Sequence, residues 1–434
     1  MGYKFLDSAL LGTSVKRENS YKIIGGGISG LFAGYFLKKN NVGFQIIEHA
    51  ARVGGLIESG DTAFGVAEKA ANGFIWCEEI EEIAERTGLK ILPPSKAASK
   101  KYIVKNGKLQ RVPLSFTNIL TAVWKLSKPH NAKPKTVKDF SDTYLGNAVS
   151  ENILNPAFGG IYGADIADLS FPATMPELAK AQQQDKFLLL GLLSNRKGKN
   201  KHPKGTHSFP KGMQELTEAL HQHMFDEIKL HADGMKFIGS NQDLILSLPA
   251  YAAAGFFQGH ELAELLGRVT YIPLISVRIF IRKEKIGKIP EGFGCVITPS
   301  EGFKTIGILF DHDIFPEHMH DDHFYSFKMM MRDRYDNNFK ELVHLPQSTL
   351  EQLALLELDQ LFGVKGEPEL VVAEKYPKAI PLYSPEHYEN LFIIDELLKR
   401  DFPNIRLFGN YTGQVSVRGM AQEAGKILNI PNLQ

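Results

Sequence analysis

A glycine-rich turn between a short apolar strand and an apolar helix narrows the folds open to this chain. Residues 21–24 predict a buried strand, and an apolar helical stretch runs from Ser29 to about Lys39. A second apolar strand over residues 44–47 ends at Glu48. Strand, helix and strand within 30 residues form the smallest βαβ unit, so the sequence predicts an α/β domain at this end of the chain.

The glycines of this turn fit the spacing of a dinucleotide-binding motif. Gly25 permits the tight turn, Gly27 lets the backbone approach a pyrophosphate, and Gly30 lets the helix pack against the strand. The helix start, with Ile28 and Ser29, offers unpaired N–H groups and a positive dipole end to the phosphates. From this pattern alone, an ordinary glycine-rich turn remains an alternative.

Glu48 favours the dinucleotide interpretation, because a carboxylate at the end of the second strand can accept hydrogen bonds from ribose hydroxyls. Four residues later, Arg52 precedes a second glycine pair, Gly54 and Gly55. This pair indicates another close approach of backbone to phosphate. The arginine either guards the pyrophosphate or braces the loop.

The run from Glu48 through Arg52 to Gly54 and Gly55 resembles the amine-oxidase and protoporphyrinogen-oxidase superfamily of FAD enzymes. Residues 407–419 resemble the second nucleotide-contacting turn of that superfamily, which lies against the flavin ring and the pyrophosphate. An ordinary βα turn fits their spacing equally well. The resemblance implies FAD contacts from Gly409, Gly413, Val415, Ser416 and Val417.

Segments in the middle of the chain resemble the protoporphyrinogen oxidase family in particular. In order, they are residues 102–113, 157–170, 187–193, 210–216 and 292–317. The resemblance implies an α/β fold with a discontinuous Rossmann-like FAD domain over about 21–97, 203–266 and 401–434. It also implies an inserted α+β substrate domain over 98–113 and 267–400, and a helical domain of the membrane-contact type over 114–202.

What this resemblance implies for activity is the FAD-dependent oxidation of a porphyrinogen, protoporphyrinogen IX to protoporphyrin IX, in haem biosynthesis. The flavin would accept a hydride, and oxygen or another acceptor would reoxidise it. Three alternatives stay open: coproporphyrinogen as substrate, a flavin amine oxidase or desaturase acting on another apolar substrate, and a non-catalytic paralogue. The sequence identifies no general base, so the catalytic residues are unknown.

For the substrate, the resemblance implies a pocket lined by Phe293, Val296 and one methionine of 329–331, for which we choose Met330. Lys69 lies near the position where the family often has an arginine beside the substrate carboxylates. From the residues alone, core packing explains the phenylalanine and the methionine as well. The chain also departs from the family, with Ala67-Glu68 in place of Gly-Pro and with Glu58 where arginine is frequent.

Composition excludes several other classes of protein. Lys and Arg total 50 and Asp and Glu total 49, and this balance argues against a nucleic-acid binder. Two cysteines, Cys77 and Cys295, cannot form a disulfide framework or a four-cysteine metal site. No apolar run approaches the ~20 residues of a membrane-spanning helix. We therefore expect a cytoplasmic protein.

Histidines and termini give weaker signals. His318, His320 and His323, with Asp321 and Asp322, follow a strand end and predict a polar loop, so we expect no metal. Residues 1–20 are weakly patterned and predict a short extension or a frayed terminus.

Two apolar stretches are flanked by basic residues. The first stretch, residues 114–126, overlaps or precedes five lysines: Lys125, Lys128, Lys133, Lys135 and Lys138. The second stretch, residues 187–193, precedes five basic residues: Arg196, Lys197, Lys199, Lys201 and Lys204. This composition fits either a peripheral contact on the cytoplasmic side of a membrane or a buried helix beside a solvated loop. The family resemblance favours the membrane contact and leaves a homodimer open.

Overall fold

The structure is a computed structural model that describes residues 3–16, 18–111, 132–184, 203–332 and 342–428. Its strands are β1 Leu11–Gly12, β2 Ser20–Ile24, β3 Gly43–Ile47, β4 Ser59–Asp61, β5 Val66–Glu68, β6 Phe74–Ile75, β7 Lys101–Lys105, β8 Lys108–Arg111, β9 Thr206–His207, β10 Ile228–Lys229, β11 Asp243–Leu246, β12 Tyr271–Arg282, β13 Gly294–Ile297, β14 Thr305–Phe310, β15 Phe324–Met331, β16 Leu370–Pro381 and β17 Ile405–Leu407. Its α-helices are α1 Ile28–Lys39, α2 Glu78–Thr87, α3 Val137–Tyr144, α4 Asn147–Val149, α5 Asn155–Tyr162, α6 Phe171–Thr174, α7 Pro176–Gln184, α8 Gln214–His223, α9 Ala250–Ala253, α10 Glu261–Gly267, α11 Asp311–Ile314, α12 Gln347–Phe362, α13 Pro385–Asp401 and α14 Val417–Leu428.

The first sheet has six strands in the order β1-β17-β11-β2-β3-β10. Neighbouring strands run parallel except β1, which is antiparallel to β17. Strands close together in this sheet are far apart in the chain, since β2, β11 and β17 lie side by side. The predicted α/β class with a Rossmann-like domain is confirmed, whereas the proposed domain boundaries remain a prediction.

Helices cover both faces of the first sheet. Ile23 and Ile46 pack in one buried cluster with α1 and α14, while Ile24 and Leu246 pack in another with α9, α10 and α13. Successive residues of a strand point to opposite faces, so a strand that is apolar at every position must be buried on both sides. This explains the uninterrupted apolar runs of the first sheet.

The second sheet has seven strands in the order β16-β12-β15-β14-β13-β7-β8. One face packs against α12, with Val277, Ile279 and Met329 in a cluster with Leu350 and Leu358. The alternate residues of β12, β13 and β15 lie on the opposite face, which carries the candidate site.

A hairpin joins β7 and β8 at Asn106 and Gly107. Both residues have positive φ, 54° and 66°, as a two-residue type I′ turn requires. The Glu301 carboxylate accepts both N–H groups at 2.8 Å and holds the hairpin tip in place.

The described part of the predicted helical domain, residues 132–184, contains α3 to α7. Thr136 and Asp139 form a capping box that starts α3. None of the described helices is both long and apolar enough to cross a bilayer. Most of the basic and apolar residues behind the membrane prediction, including 114–126 and 187–201, lie outside the described residues.

Residues 3–16 are not an extension, and that expectation was wrong for them. Leu11 pairs with Leu407, so this segment adds an edge strand to the first sheet. The Arg406 guanidinium donates to the carbonyl oxygens of Thr13 and Ser14 at 3.0 and 3.2 Å. The segment therefore covers the edge strand β17, which would otherwise be open to other chains.

Candidate active site

The first glycine turn has the backbone that its motif predicts. Gly25 has a φ of +107°, which L side chains rarely adopt, and a Cβ on Gly30 would overlap the Gly25 carbonyl oxygen. A Cβ on Gly27 would meet nothing within 4 Å. Gly25 and Gly30 are therefore required by the fold itself, whereas Gly27 leaves open space in front of the helix start.

The start of α1 has no capping or acidic side chain of its own. Gly27 is its N-cap, no side chain caps it, and its first turn contains no acidic residue. The Ser29 hydroxyl donates to the Met420 sulfur at 3.0 Å, so the first turns of α1 and α14 lie against each other. Two helix N-termini, with their partial positive charge, thus lie together at one place.

The second glycine pair lies directly against the first turn. The Gly54 N–H donates to the Gly26 carbonyl oxygen at 2.8 Å. A Cβ on Gly55 would lie 3.3 Å from the Gly27 Cα. The two segments form a wall of bare backbone beside two helix N-termini, and this arrangement fits a pyrophosphate.

Glu48 is held at the end of β3, beside this wall. Its carboxylate accepts the N–H groups of Gly26 and Ala50 at 2.6 and 2.7 Å. A carboxylate has about four lone-pair directions, so this half-buried group can accept further hydrogen bonds from ribose hydroxyls.

Arg52 braces its own loop. Its guanidinium donates to the carbonyl oxygens of Val53, Gly55 and Ile57 at 2.8 to 3.0 Å and pairs with Glu58 at 2.5 Å. Of the two interpretations of Arg52, the structure favours the bracing role, because these contacts fix the glycine pair.

Lys69 is paired with two carboxylates. Its ammonium lies 2.5 Å from Glu58 and 3.7 Å from Glu374. The hydrogen bond from Lys69 lowers the pKa of Glu58, and the same bond raises the pKa of Lys69. The cation predicted to meet substrate carboxylates is therefore already neutralised within the protein.

The C-terminal turn is closed by its own side chains and by Tyr383. Gly413 has a φ of +143°, and its N–H donates to the Tyr383 hydroxyl at 2.9 Å. That hydroxyl donates to the Asn410 carbonyl oxygen at 2.7 Å. The Thr412 hydroxyl donates to the Gly409 carbonyl oxygen at 2.9 Å. The loop before α14 therefore has a defined shape, with Ser416 exposed at its end.

An apolar pocket of about 260 Å³ lies on the open face of the second sheet. Phe293, Val296 and Met330, three of the four residues predicted to contact substrate, line it. Met329 and Met331 belong to the core against α12, which explains why only the middle methionine reaches the pocket. The roles of these residues toward a substrate remain a prediction.

Helix α5 lines the pocket with one side and packs against a buried apolar cluster with another. Ala157, Gly160 and Ile161 line the pocket. Phe158 and Tyr162, on the same helix, pack in one apolar cluster with Val415 of the C-terminal turn. Lys69 is not part of the pocket lining.

A buried charge cluster on the same sheet face was missed by the sequence analysis. Arg278 pairs with Asp311 and donates to the Glu68 carbonyl oxygen at 3.0 Å. Lys328, the cross-strand neighbour of Arg278, donates to the Ala70 carbonyl oxygen at 2.5 Å. Burial raises the pKa of Glu68 and lowers the pKa of Lys328. The only signal in the sequence was a charge within each of two apolar strands.

Glu68, a departure from the family pattern, has a structural role. Its carboxylate accepts the Met213 N–H at 2.6 Å and the Ser59 hydroxyl at 2.8 Å. It therefore ties the β4-β5 pair to the start of α8.

The polar-loop prediction was wrong for His318, which is 4% exposed and hydrogen-bonds to the Phe209 carbonyl oxygen at 2.8 Å. Asp321, Asp322 and His323 are exposed, with ligand atoms within 4.8 Å of one another. The Asp321 carboxylate accepts hydrogen bonds from the backbone N–H and from the Nδ1–H of His323, so these contacts are local.

Comparison with known proteins gives a consistent picture. A family model for an NAD(P)-binding Rossmann-like domain matches residues 23–86. Protoporphyrinogen oxidase 2 of Arabidopsis thaliana is 26% identical, over 91% of this chain and 90% of the relative. Coproporphyrinogen III oxidase of Staphylococcus aureus is 23% identical, over 90% of this chain and 94% of the relative.

Among solved structures, a protein of Exiguobacterium sp. 255-15, provisionally named a protoporphyrinogen oxidase, shares the fold with a TM-score of 0.76. It is 19% identical, and the match covers 95% of this chain and 98% of that one. The resemblance to the protoporphyrinogen oxidase family is confirmed by these comparisons.

Proposed function

We propose that this protein is an FAD-dependent oxidase that converts protoporphyrinogen IX to protoporphyrin IX in haem biosynthesis. One observation carries the proposal: α5 lines an apolar pocket with one side, and with another it packs against the buried cluster that Val415 of the turn before α14 also packs against. A flat apolar macrocycle suits such walls, and a cofactor seated on that turn would reach the same helix.

The residues that would hold FAD are chiefly backbone groups beside helix starts. We assign the pyrophosphate to the bare wall formed by Gly27, Gly54 and Gly55, and a ribose to Glu48. The complete set proposed for FAD is Gly25, Gly27, Ile28, Ser29, Gly30, Glu48, Arg52, Gly54, Gly55, Gly409, Gly413, Val415, Ser416 and Val417. Arg52 acts in this set by holding its loop.

FAD, when bound, supplies hydride acceptance, with oxygen or another acceptor taking the electrons away. The chain's own part is to bind and orient. Phe293, Val296 and Met330 form apolar walls that would exclude water from one face of the macrocycle. We assign no general base.

Coproporphyrinogen III is the second candidate substrate. The Staphylococcus aureus relative named for coproporphyrinogen oxidation matches 90% of this chain, almost the share matched by the plant protoporphyrinogen oxidase. Both substrates present the same apolar ring and differ in the number of carboxylates at its edge.

The test is the anaerobic visible spectrum of the purified protein. We expect the absorption of oxidised flavin, its bleaching by protoporphyrinogen IX, and the appearance of porphyrin bands. Bleaching by coproporphyrinogen III alone would move the assignment to the second candidate. Bleaching only by an amine would make the protein an amine oxidase. Bound flavin that no porphyrinogen reduces would contradict the proposal and favour a non-catalytic paralogue.

The cytoplasmic location and a peripheral membrane contact are part of the same proposal. Sedimentation with anionic vesicles at low and high salt tests the contact, because attraction between lysines and anionic lipids weakens as salt rises. We expect binding at low salt. Protein that stays in the supernatant at both salt concentrations would contradict it. That the protein forms a homodimer remains a prediction, which sedimentation equilibrium would test.

A further inference from the structure

Lys101 lies at the edge of the apolar pocket. It begins β7, is exposed, and is one of the residues that line the pocket. Its ammonium lies 5.2 Å from the centroid of the Phe293 ring. In the part of the chain that the structure describes, it makes no ion pair.

The strand pairing explains why this lysine reaches the pocket. Lys101 is the register partner of Gly294, and Ile103 that of Val296. Alternate residues of a strand share a face, so Lys101 and Ile103 lie on the pocket side of the sheet. Val104 has the opposite phase along the strand and lies in the core against α12.

Neighbouring lysines are neutralised in ways that Lys101 is not. The Lys100 ammonium pairs with Glu291 at 2.7 Å. Lys69 pairs with Glu58 and Glu374, as described above. Among the described residues that line this pocket, the available cation is therefore Lys101 rather than the lysine that the family resemblance indicated.

We propose that Lys101 binds a carboxylate at the edge of the substrate macrocycle and so selects amphipathic anions for this pocket. The assignment rests on the proposed function, because that function supplies a flat apolar ligand with carboxylates on its edge. The long side chain of Lys101 can lie along Phe293 while its ammonium stays in water, where a carboxylate of a ring stacked in the pocket would meet it. An ammonium paired to a carboxylate makes a charge-assisted hydrogen bond, which is stronger than a neutral one.

The experiment compares porphyrins with and without charge on the FAD-loaded protein. The probes are coproporphyrin III, with its four carboxylates, and its tetramethyl ester, both in the same dilute detergent, and fluorescence quenching gives their dissociation constants. We expect Lys101→Gln to weaken coproporphyrin binding about threefold to fivefold and to leave ester binding within twofold of the wild type. Lys101→Arg should restore the binding. Lys100→Gln, which removes the adjacent lysine, should bind both probes as the wild type does.

The same variants separate this inference from the proposed function. With coproporphyrinogen III as substrate, Lys101→Gln should raise KM and leave kcat unchanged, since the carboxylate lies away from the reacting carbon. Equal binding of coproporphyrin by Lys101→Gln and wild type would overturn the role of Lys101 while the proposed function stands. Equal weakening of acid and ester would also overturn it, because the effect would then be one of shape. Wild-type protein that binds neither probe would overturn the role of Lys101, whereas the proposed function fails only if no porphyrinogen reduces the bound flavin.

Discussion

Arg278 and Asp311 form an ion pair in which the side chains are only 7% and 6% exposed. Burying two charges removes them from water at a cost of several kcal/mol each, which their attraction offsets only while both are present. Asp311 also accepts a hydrogen bond from Asn72 at 2.5 Å. The pair thus joins the second sheet to the segment that follows β5.

We predict that Arg278→Met lowers the free energy of unfolding by about 3–5 kcal/mol, because it leaves the Asp311 carboxylate buried without a partner. The double variant Arg278→Met, Asp311→Asn should recover much of this loss. Urea unfolding followed by circular dichroism measures both. The control is Arg282→Met on the same strand, whose partly exposed pair with Glu369 predicts a loss of under about 1 kcal/mol. Equal losses for Arg278→Met and Arg282→Met would contradict the prediction.

For single residues, the sequence is informative where the role of the residue depends on neighbours close to it in the chain. Gly25, Gly30 and Glu48 act within one βαβ unit, so their spacing alone carries the information. Lys328 and Arg278 are 50 positions apart and meet only through strand pairing. Their partnership could not be predicted without the register of the second sheet.

Helix α5 is the element that gives the pocket its outer wall. A Cβ on Gly160 would meet only the Cγ1 of Val296, at 3.5 Å. The absence of a side chain at this position therefore leaves the space between the helix and β13 open.

We predict that Gly160→Leu fills this space and weakens coproporphyrin binding at least about tenfold, while FAD content and thermal midpoint change little. The change in binding is measured by porphyrin fluorescence. Gly160→Ala is the matched control, since its single methyl group makes an ordinary contact with Val296 and should bind nearly as the wild type does. Unchanged binding by Gly160→Leu would show that the porphyrin lies elsewhere.

Elements with a strong local signal were predicted well. The strands over 21–24 and 44–47 and the helix from Ser29 to about Lys39 agree with the structure, because hydrophobic runs act locally. The edge strand β1 was missed, because two residues carry no periodicity and their pairing with β17 depends on a partner almost 400 positions away.

Several buried histidines make the free energy of unfolding of the protein depend on pH. Burial lowers the pKa of His207, His318 and His387. In the unfolded chain these groups titrate near pH 6.5, whereas the folded protein holds them neutral to lower pH. Lowering the pH below about 6.5 therefore protonates the unfolded state first, and the free energy of unfolding falls. The raised pKa of Glu68 acts in the opposite direction and offsets part of this loss.

We predict that the wild type loses stability between about pH 6.5 and 5, and that His387→Gln loses it with a shallower slope. The side-chain amide can still donate to the Tyr411 carbonyl oxygen, which His387 contacts at 2.9 Å. Removing one histidine that takes up a proton on unfolding lowers the slope of the free energy of unfolding against pH by up to about 1.4 kcal/mol per pH unit. Urea unfolding over the pH range measures it, with the exposed His320→Gln as control. Parallel curves for wild type and His387→Gln would contradict the prediction.

Residues 25–30 and 409–417, near opposite ends of the chain, converge where Ser29 contacts Met420. A cofactor bound at both would tie the ends of the chain together and bind only the folded protein. Such a ligand stabilises the fold by about 2.7 kcal/mol at 100 times its Kd.

We predict that FAD raises the thermal midpoint of the apoprotein in a concentration-dependent way, whereas NAD and NADP at equal concentrations do not. Gly27→Ala should lose this effect, because its methyl group projects into the space before the start of α1, and its FAD affinity should fall at least about tenfold. Gly267→Ala is the control, since a Cβ there also meets nothing within 4 Å but lies at the end of α10. Equal midpoint shifts by FAD in Gly27→Ala and wild type would place the dinucleotide away from this turn.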